Sequence, residues 1–135
     1  MNLLNRIHIN ERRFMRDPRG GLLKVLRGDE EGLRREVGEI YVVWAEPGQV
    51  RGGHFHPLTD EFFTVLEGRC LLLLADPGSG ERAELALDAT EPRTVHVPKG
   101  IAHAFSNPTD GSRLMLLAYA DRAYDPIDTV VYKFE

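Results

Sequence analysis

The sequence predicts an all-β protein, a sandwich or a barrel, made of one domain. Three observations predict it. Short runs rich in β-branched, aromatic and leucine residues recur along most of the chain, with turn-forming residues between them. The 135 residues match one ordinary domain and leave little for a second. Only Asp29 to Val37 has a helical composition, and Gly28 and Gly32 weaken even that stretch.

The elements follow in chain order. Asn2 to Phe14 mixes Leu3, Leu4, Ile7, Ile9 and Phe14 with charges, which suits an N-terminal edge strand or a dimer arm over residues 1–15. Asp29 to Val37 reads as a short helix or as a polar loop with one helical turn. Glu39 to Trp44 is β-branched and aromatic and reads as a strand. Glu61 to Leu66 and Arg69 to Ala75 are two strands separated by Glu67 and Gly68. Asp76-Pro-Gly-Ser-Gly80 is a strong turn signal. Glu84 to Leu87 puts Leu85 and Leu87 on one face. Thr94 to Val97, Ile101 to Phe105, Arg113 to Ala120 and Thr129 to Phe134 complete the set. Gly and Pro are spread as punctuation and not pooled into a linker, so residues 1–135 read as a single domain.

Composition excludes several classes. A net charge of −4 argues against a nucleic-acid polymer as partner. No apolar run approaches the ~20 residues of a membrane helix, and Met1 to Arg6 lacks the apolar core of a signal peptide. A soluble cytoplasmic protein without membrane partners is expected. The single cysteine, Cys70, forms no internal disulfide and reads as a core residue of an apolar strand.

Five histidines carry more information. On a strand, His54 and His56 face the same side and Phe55 the other. The stretch Pro57 to Asp60 turns the chain back, which lets Glu61 face both histidines from the neighbouring strand. His103 arrives from a later strand, after a Pro-x-Gly turn. Three neutral imidazoles and one carboxylate converging inside a barrel suit a divalent metal with open coordination positions. Zinc heads the candidates, with iron, manganese and nickel also compatible. His96 alternates with Val95 and Val97 and is expected as a strand residue at the rim of the cavity.

Gly48 to Gly68 fits the cupin pattern G-x5-H-x-H-x4-E-x6-G, and Pro98 to Asn107 fits its partner, P-x-G-x2-H-x3-N. The leading Gly of the second motif is replaced by Pro92. On these residues the chain resembles the cupins. The resemblance implies a single cupin double-stranded β-helix, or jelly-roll barrel, with metal ligands at His54, His56, Glu61 and His103.

Further text resembles the nucleotide-sugar branch of that family. Asp17-Pro-Arg19-Gly20 is similar to the D-x-R-G opening of dTDP-4-dehydrorhamnose 3,5-epimerases. Arg51-Gly-Gly-His54 is similar to their R-G-x-H and to the R-G-G-H-x-H of the 3,4-ketoisomerases. Tyr124 to Thr129 resembles the tail of the cupin half of capsular-polysaccharide synthesis enzymes. The resemblance implies proton transfer beside the C4 ketone of a dTDP- or UDP-linked 4-keto-6-deoxy sugar, as a 3-epimerase or keto-isomerase in polysaccharide precursor biosynthesis. It implies Arg19 and Arg51 as groups that grip the diphosphate. Tyr41, Phe55 and Phe63 are aromatics that stack on a base or sugar, or simply strand residues.

Two assignments stay open at this point. The metal-free epimerases use the histidine matching His54 as general base, whereas Glu61 here restores a full ligand set, as in the capsular enzymes. Either a metal polarises the ketone and another group, such as Tyr124, moves the proton, or His54 acts as the base. A metal-dependent small-molecule cupin such as a dioxygenase, or a non-catalytic sugar-binding cupin, uses the same ligands. A homodimer with exchanged N-terminal strands is expected from the apolar leader and from the edges of a small barrel.

Overall fold

The computed structural model describes residues 2–18, 20–34, 38–108 and 111–134, with the backbone alone for 20–22. Twelve strands are formed among these residues: β1 (His8–Glu11), β2 (Met15–Asp17), β3 (Gly20–Leu22), β4 (Glu39–Ala45), β5 (Val50–Phe55), β6 (Glu61–Glu67), β7 (Arg69–Ala75), β8 (Arg82–Asp88), β9 (Arg93–Val97), β10 (Ala102–Ser106), β11 (Leu114–Ala120) and β12 (Val130–Val131). Two five-stranded antiparallel sheets, ordered β1-β9-β6-β11-β4 and β12-β5-β10-β7-β8, form the barrel walls. β2 and β3 make a separate hairpin. The expected jelly roll is present. Among the described residues no helix is long and apolar enough to cross a membrane.

Alternation builds the core. β7 reads Arg-Cys-Leu-Leu-Leu-Leu-Ala, a nearly continuous apolar run, yet Cys70, Leu72 and Leu74 are buried while Leu71 and Leu73 are half-buried. Leu72 and Leu74 meet Val95, Leu114 and Leu116 from the other sheet in one cluster. Phe63 belongs to the same cluster at 1% exposure, so it is core and not a stacking platform for a ligand. Gly68 turns β6 into β7 with φ +79°, and a Cβ there would lie 2.4 Å from the Arg113 carbonyl oxygen.

The N-terminal leader resolves as an edge strand. A 3₁₀ turn at Leu3–Arg6 is capped by Asn2, and β1 then pairs with β9 of its own chain. Leu3 and Ile7 are buried in the same barrel's core, so the leader needs no exchange with a second chain to cover them.

Of the two readings offered for Asp29 to Val37 the loop is the one seen over 29–34, and one expected strand is shorter. Residues 29–34 form a turn and loop without a helix, with Gly32 at φ +88°, and 35–37 lie outside the described residues. The strand expected from Thr129 to Phe134 is only Val130–Val131. After Tyr132 donates its amide to the Gly53 carbonyl, the tail leaves the sheet edge for Arg82, which hydrogen-bonds the Phe134 carbonyl at 2.7 Å.

Cys70 is sealed on this inner face, and burial pushes its thiol up to about 12. The folded protein is therefore expected to resist a thiol-labelling reagent at neutral pH. One equivalent should react on unfolding in guanidinium. Rapid labelling of the native protein would contradict the burial.

Candidate active site

The two histidine-bearing motifs meet in the second sheet. β10 pairs with β5, and His103 lies directly across from His54. The register shifts by one residue at this point, because His54 and Gly52 on β5 span the single step from His103 to Ala104 on β10. Gly53 is the extra residue, and Gly52 and Gly53 have φ of +91° and +86°. A Cβ on Gly52 would stand 3.2 Å from the Ala104 Cα. The two glycines of the Arg-Gly-Gly-His stretch therefore make a β-bulge that aims His54 inward. The outer ends of the motifs are joined as well. Gly48 donates to the Asn107 carbonyl and Asn107 to that of Gln49, while the buried Asn107 amide side chain holds Ala45 and Ser112.

Glu61, the first residue of β6, reaches across from the other sheet. Its Oε1 is 3.1 Å from His56 Nε2 and 3.2 Å from His103 Nε2. The available nitrogens of His54, His56 and His103 all lie within 4.8 Å of one another. Among the described residues, Glu61 Oε1 and both His103 ring nitrogens are buried with no well-directed hydrogen bond, the short Glu61–imidazole approaches included. Orphaned polar atoms of this kind are rare unless something else satisfies them. Three imidazole nitrogens this close together match the donor set of a divalent cation, and Glu61 Oε1 borders two of them, so the cluster fits the expected metal.

Neighbours orient these groups. The His56 Nδ1–H donates to the Asp128 carbonyl at 2.9 Å, which turns Nε2 inward towards Glu61. The Asp128 carboxylate in turn takes the Leu58 amide and the Thr59 hydroxyl, and so fixes the turn between His56 and Glu61. Tyr41 donates its hydroxyl to Glu61 Oε2 at 2.7 Å. Burial and the Glu61 charge both raise the Tyr41 pKa, which keeps it a donor. Burial opposes the Glu61 charge, but contact with His103, His56 and Tyr41 outweighs it and holds the carboxyl well below its usual range. His54 is pushed down to about 4 by burial and by the neighbouring imidazoles, so it is neutral with a free lone pair.

A cavity of about 290 Å³ opens above the cluster, and His54, His56 and Glu61 lie at its base. Tyr124 lines it too, 65% exposed. Arg122 is the one cation among its described lining residues, against Glu39, Asp125 and Asp128 on the same wall. Arg51 is elsewhere: it pairs with Phe105 on the solvent-exposed start of β5 and does not line the cavity. Arg19 lies outside the described residues. His96 is not at the rim. It alternates away from core residues Val95 and Val97, onto the outer face of the first sheet.

The chain matches the family described as Polysaccharide biosynthesis C-terminal domain over residues 15–132. Among curated proteins it is 25% identical over 109 residues to a UDP-2-acetamido-2,6-beta-L-arabino-hexul-4-ose reductase of Pseudomonas aeruginosa. That match covers 81% of this chain and 27% of the reductase, so the chain spans about a quarter of its relative's length. Among solved structures it resembles a dTDP sugar isomerase from Desulfovibrio desulfuricans G20, with TM-score 0.81 and 22% identity over 94% of this chain and 83% of that one. It also resembles the 3,5-epimerase RmlC from Legionella pneumophila, solved with dTDP-4-keto-L-rhamnose, with TM-score 0.83 and 17% identity over 99% and 77%. A third is the capsular polysaccharide assembling protein CapF from Staphylococcus aureus, with TM-score 0.68 and 21% identity over 90% and 34%. Likeness at these identities establishes the fold, an RmlC-like cupin barrel. With most of its length matched, the chain belongs to the polysaccharide biosynthesis C-terminal domain family.

Proposed function

We propose that the barrel is a metal-bearing enzyme that moves a proton on the carbon beside the C4 ketone of a nucleotide-linked sugar. The observation that carries the reading is the convergence of His54, His56 and His103 beside Glu61, with no well-directed hydrogen bond to Glu61 Oε1 or the His103 nitrogens, under an open cavity that Tyr124 also lines. The substrate class comes from the likeness to dTDP-sugar isomerases and epimerases and to a UDP-sugar reductase.

A bound divalent ion would supply Lewis-acid stabilisation of the negative charge that develops on the ketone oxygen. The remaining work falls to side chains. Tyr124, standing over the cluster from the cavity wall, exchanges a proton with the sugar carbon. Arg122 offers its guanidinium to the diphosphate at the same wall. Tyr41 and Asp128 hold Glu61 and His56 in place. His54 is a ligand in this reading; with the cluster empty, its neutral imidazole is the alternative base.

The metal is tested by elemental analysis of protein purified without chelator. About one divalent ion per chain is expected, and a double variant His54→Ala, His103→Ala should lose it. Unchanged metal content in that variant would overturn the ligand assignment.

The reaction is tested by incubation with dTDP- and UDP-4-keto-6-deoxy sugars in D₂O. Deuterium should enter at the carbon beside the ketone. Tyr124→Phe should slow the exchange by about 10²–10⁴-fold with metal content unchanged. No exchange with any of several such sugars would sink the reading. Oxygen uptake with Fe(II) would favour a dioxygenase instead.

A homodimer is also part of this reading, and an apolar ladder on the outer face of the first sheet supports it. Ile40, Val42 and Trp44 of β4 are exposed, and they pair with Tyr119, Leu117 and Met115 of β11. No charged side chain interrupts these six positions, so a two-fold copy of the face meets it without an unpaired charge. Light scattering should give a dimer for the wild type and a monomer for Trp44→Glu. A monomeric wild type would refute the dimer.

A further inference from the structure

Behind Glu61 lies a second polar cluster, on the opposite side of β6. Asp60 and Glu61 are consecutive, so they face opposite ways at the start of the strand. Asp60 Oδ2 accepts from His96 Nε2 at 3.0 Å, and Asp60 Oδ1 accepts the Lys99 amide at 2.8 Å. The Asp60 amide donates to Asp121 Oδ1, and the Asp121 amide returns a bond to the Asp60 carbonyl, both at 3.1 Å. One turn residue further, Gly100 donates its amide to the His56 carbonyl at 2.8 Å. Asp60 thus ties together the first residue of β6, the end of β11 and the turn that delivers His103. That turn also grips the residue after β5.

His96 is built into its place. Its ring stacks on Phe62 with centroids 4.5 Å apart and planes 10° from parallel. Its side chain is 4% exposed. Gly32 closes over it so tightly that a Cβ there would stand 2.3 Å from His96 Cε1. His96 Nε2 donates to a carboxylate, and its Nδ1 lies within hydrogen-bond distance of His8 Nδ1, 2.8 Å away on β1. His8 Nε2 is 3.6 Å from Glu31. A buried imidazole with both nitrogens engaged holds Asp60 in one orientation.

We propose that Asp60 and His96 are positioning residues that set the geometry of the His56, Glu61 and His103 cluster from the far side of the sheet. The inference rests on the metal reading of that cluster. It assigns a function to two residues that touch neither the cavity nor the proposed ion.

The test compares His96→Phe with His96→Gln. Phenylalanine keeps the stack on Phe62 and removes the donor to Asp60. Glutamine restores a donor and an acceptor. Affinity for Co(II), measured by chelator competition, should fall by about 10–100-fold in His96→Phe. Its d–d spectrum should also change. His96→Gln should recover most of both. Thermal unfolding without metal reads any general loss of stability. Equal loss of stability in the two variants, with affinity and spectrum as in the wild type, would overturn the inference.

A wild type that takes up no divalent ion would remove the metal reading alone. Positioning is then decided by amide hydrogen exchange at Lys99, Gly100 and Asp121 and by the ring signals of His56 and His103. Faster exchange and shifted rings in His96→Phe support it. Unchanged values refute it.

Discussion

A carboxylate sunk among imidazoles is the constraint on which this barrel depends. Glu61 is 3% exposed, and an isolated charge at that depth is costly. Its partners come from both walls: Tyr41 from its own sheet, His56 and His103 from the opposite one. The two sheets must therefore meet in one register at this end. Further along the strands hydrocarbon sets the fit, through Cys70, Leu87, Leu114 and Leu116, and tolerates small slips more readily. One half of the interior is specified by direction, the other by volume.

Much of this arrangement was legible in the chain. The period of two placed His54 and His56 on one side, and the spacing to Glu61 and His103 matched a known pattern. The signals that failed were those without a local signature. Asp128 reaches His56 across 72 residues of sequence, and Asp60 meets His96 across 36. Nothing in the text around Asp128 marks its carbonyl as the partner of an imidazole. Tyr41 carried a visible strand propensity, which hid its bond to Glu61. Arg51 shows the opposite fault. Its position beside Gly-Gly-His suggested the cavity, but the bulge turns the backbone between them, and its register partner is Phe105.

The same alternation explains how one short strand serves two sides. β6 sends Glu61, Phe63 and Val65 inward and Phe62 and Thr64 outward, and all five are buried. A strand at the surface of a small barrel seldom achieves that. Here the loop carrying Gly32 and the edge strand β1 cover the outer face around His96. The N-terminal leader is thus a lining for the back of the site strand, in addition to an edge of the sheet.

The contact between His56 and Asp128 has a consequence for how the protein comes into being. His54, His56 and Glu61 leave the ribosome early, His103 well after them, and the residue that orients His56 later still. A nascent chain that has emerged only as far as β11 already holds all four acidic and imidazole groups, yet lacks the carbonyl that selects the tautomer of His56. The oriented cluster is therefore a late event in synthesis, set by long-range contacts rather than by the appearance of the four residues themselves. Before that moment the four side chains form a loose set, and the finished barrel is the first state in which His56 has one orientation.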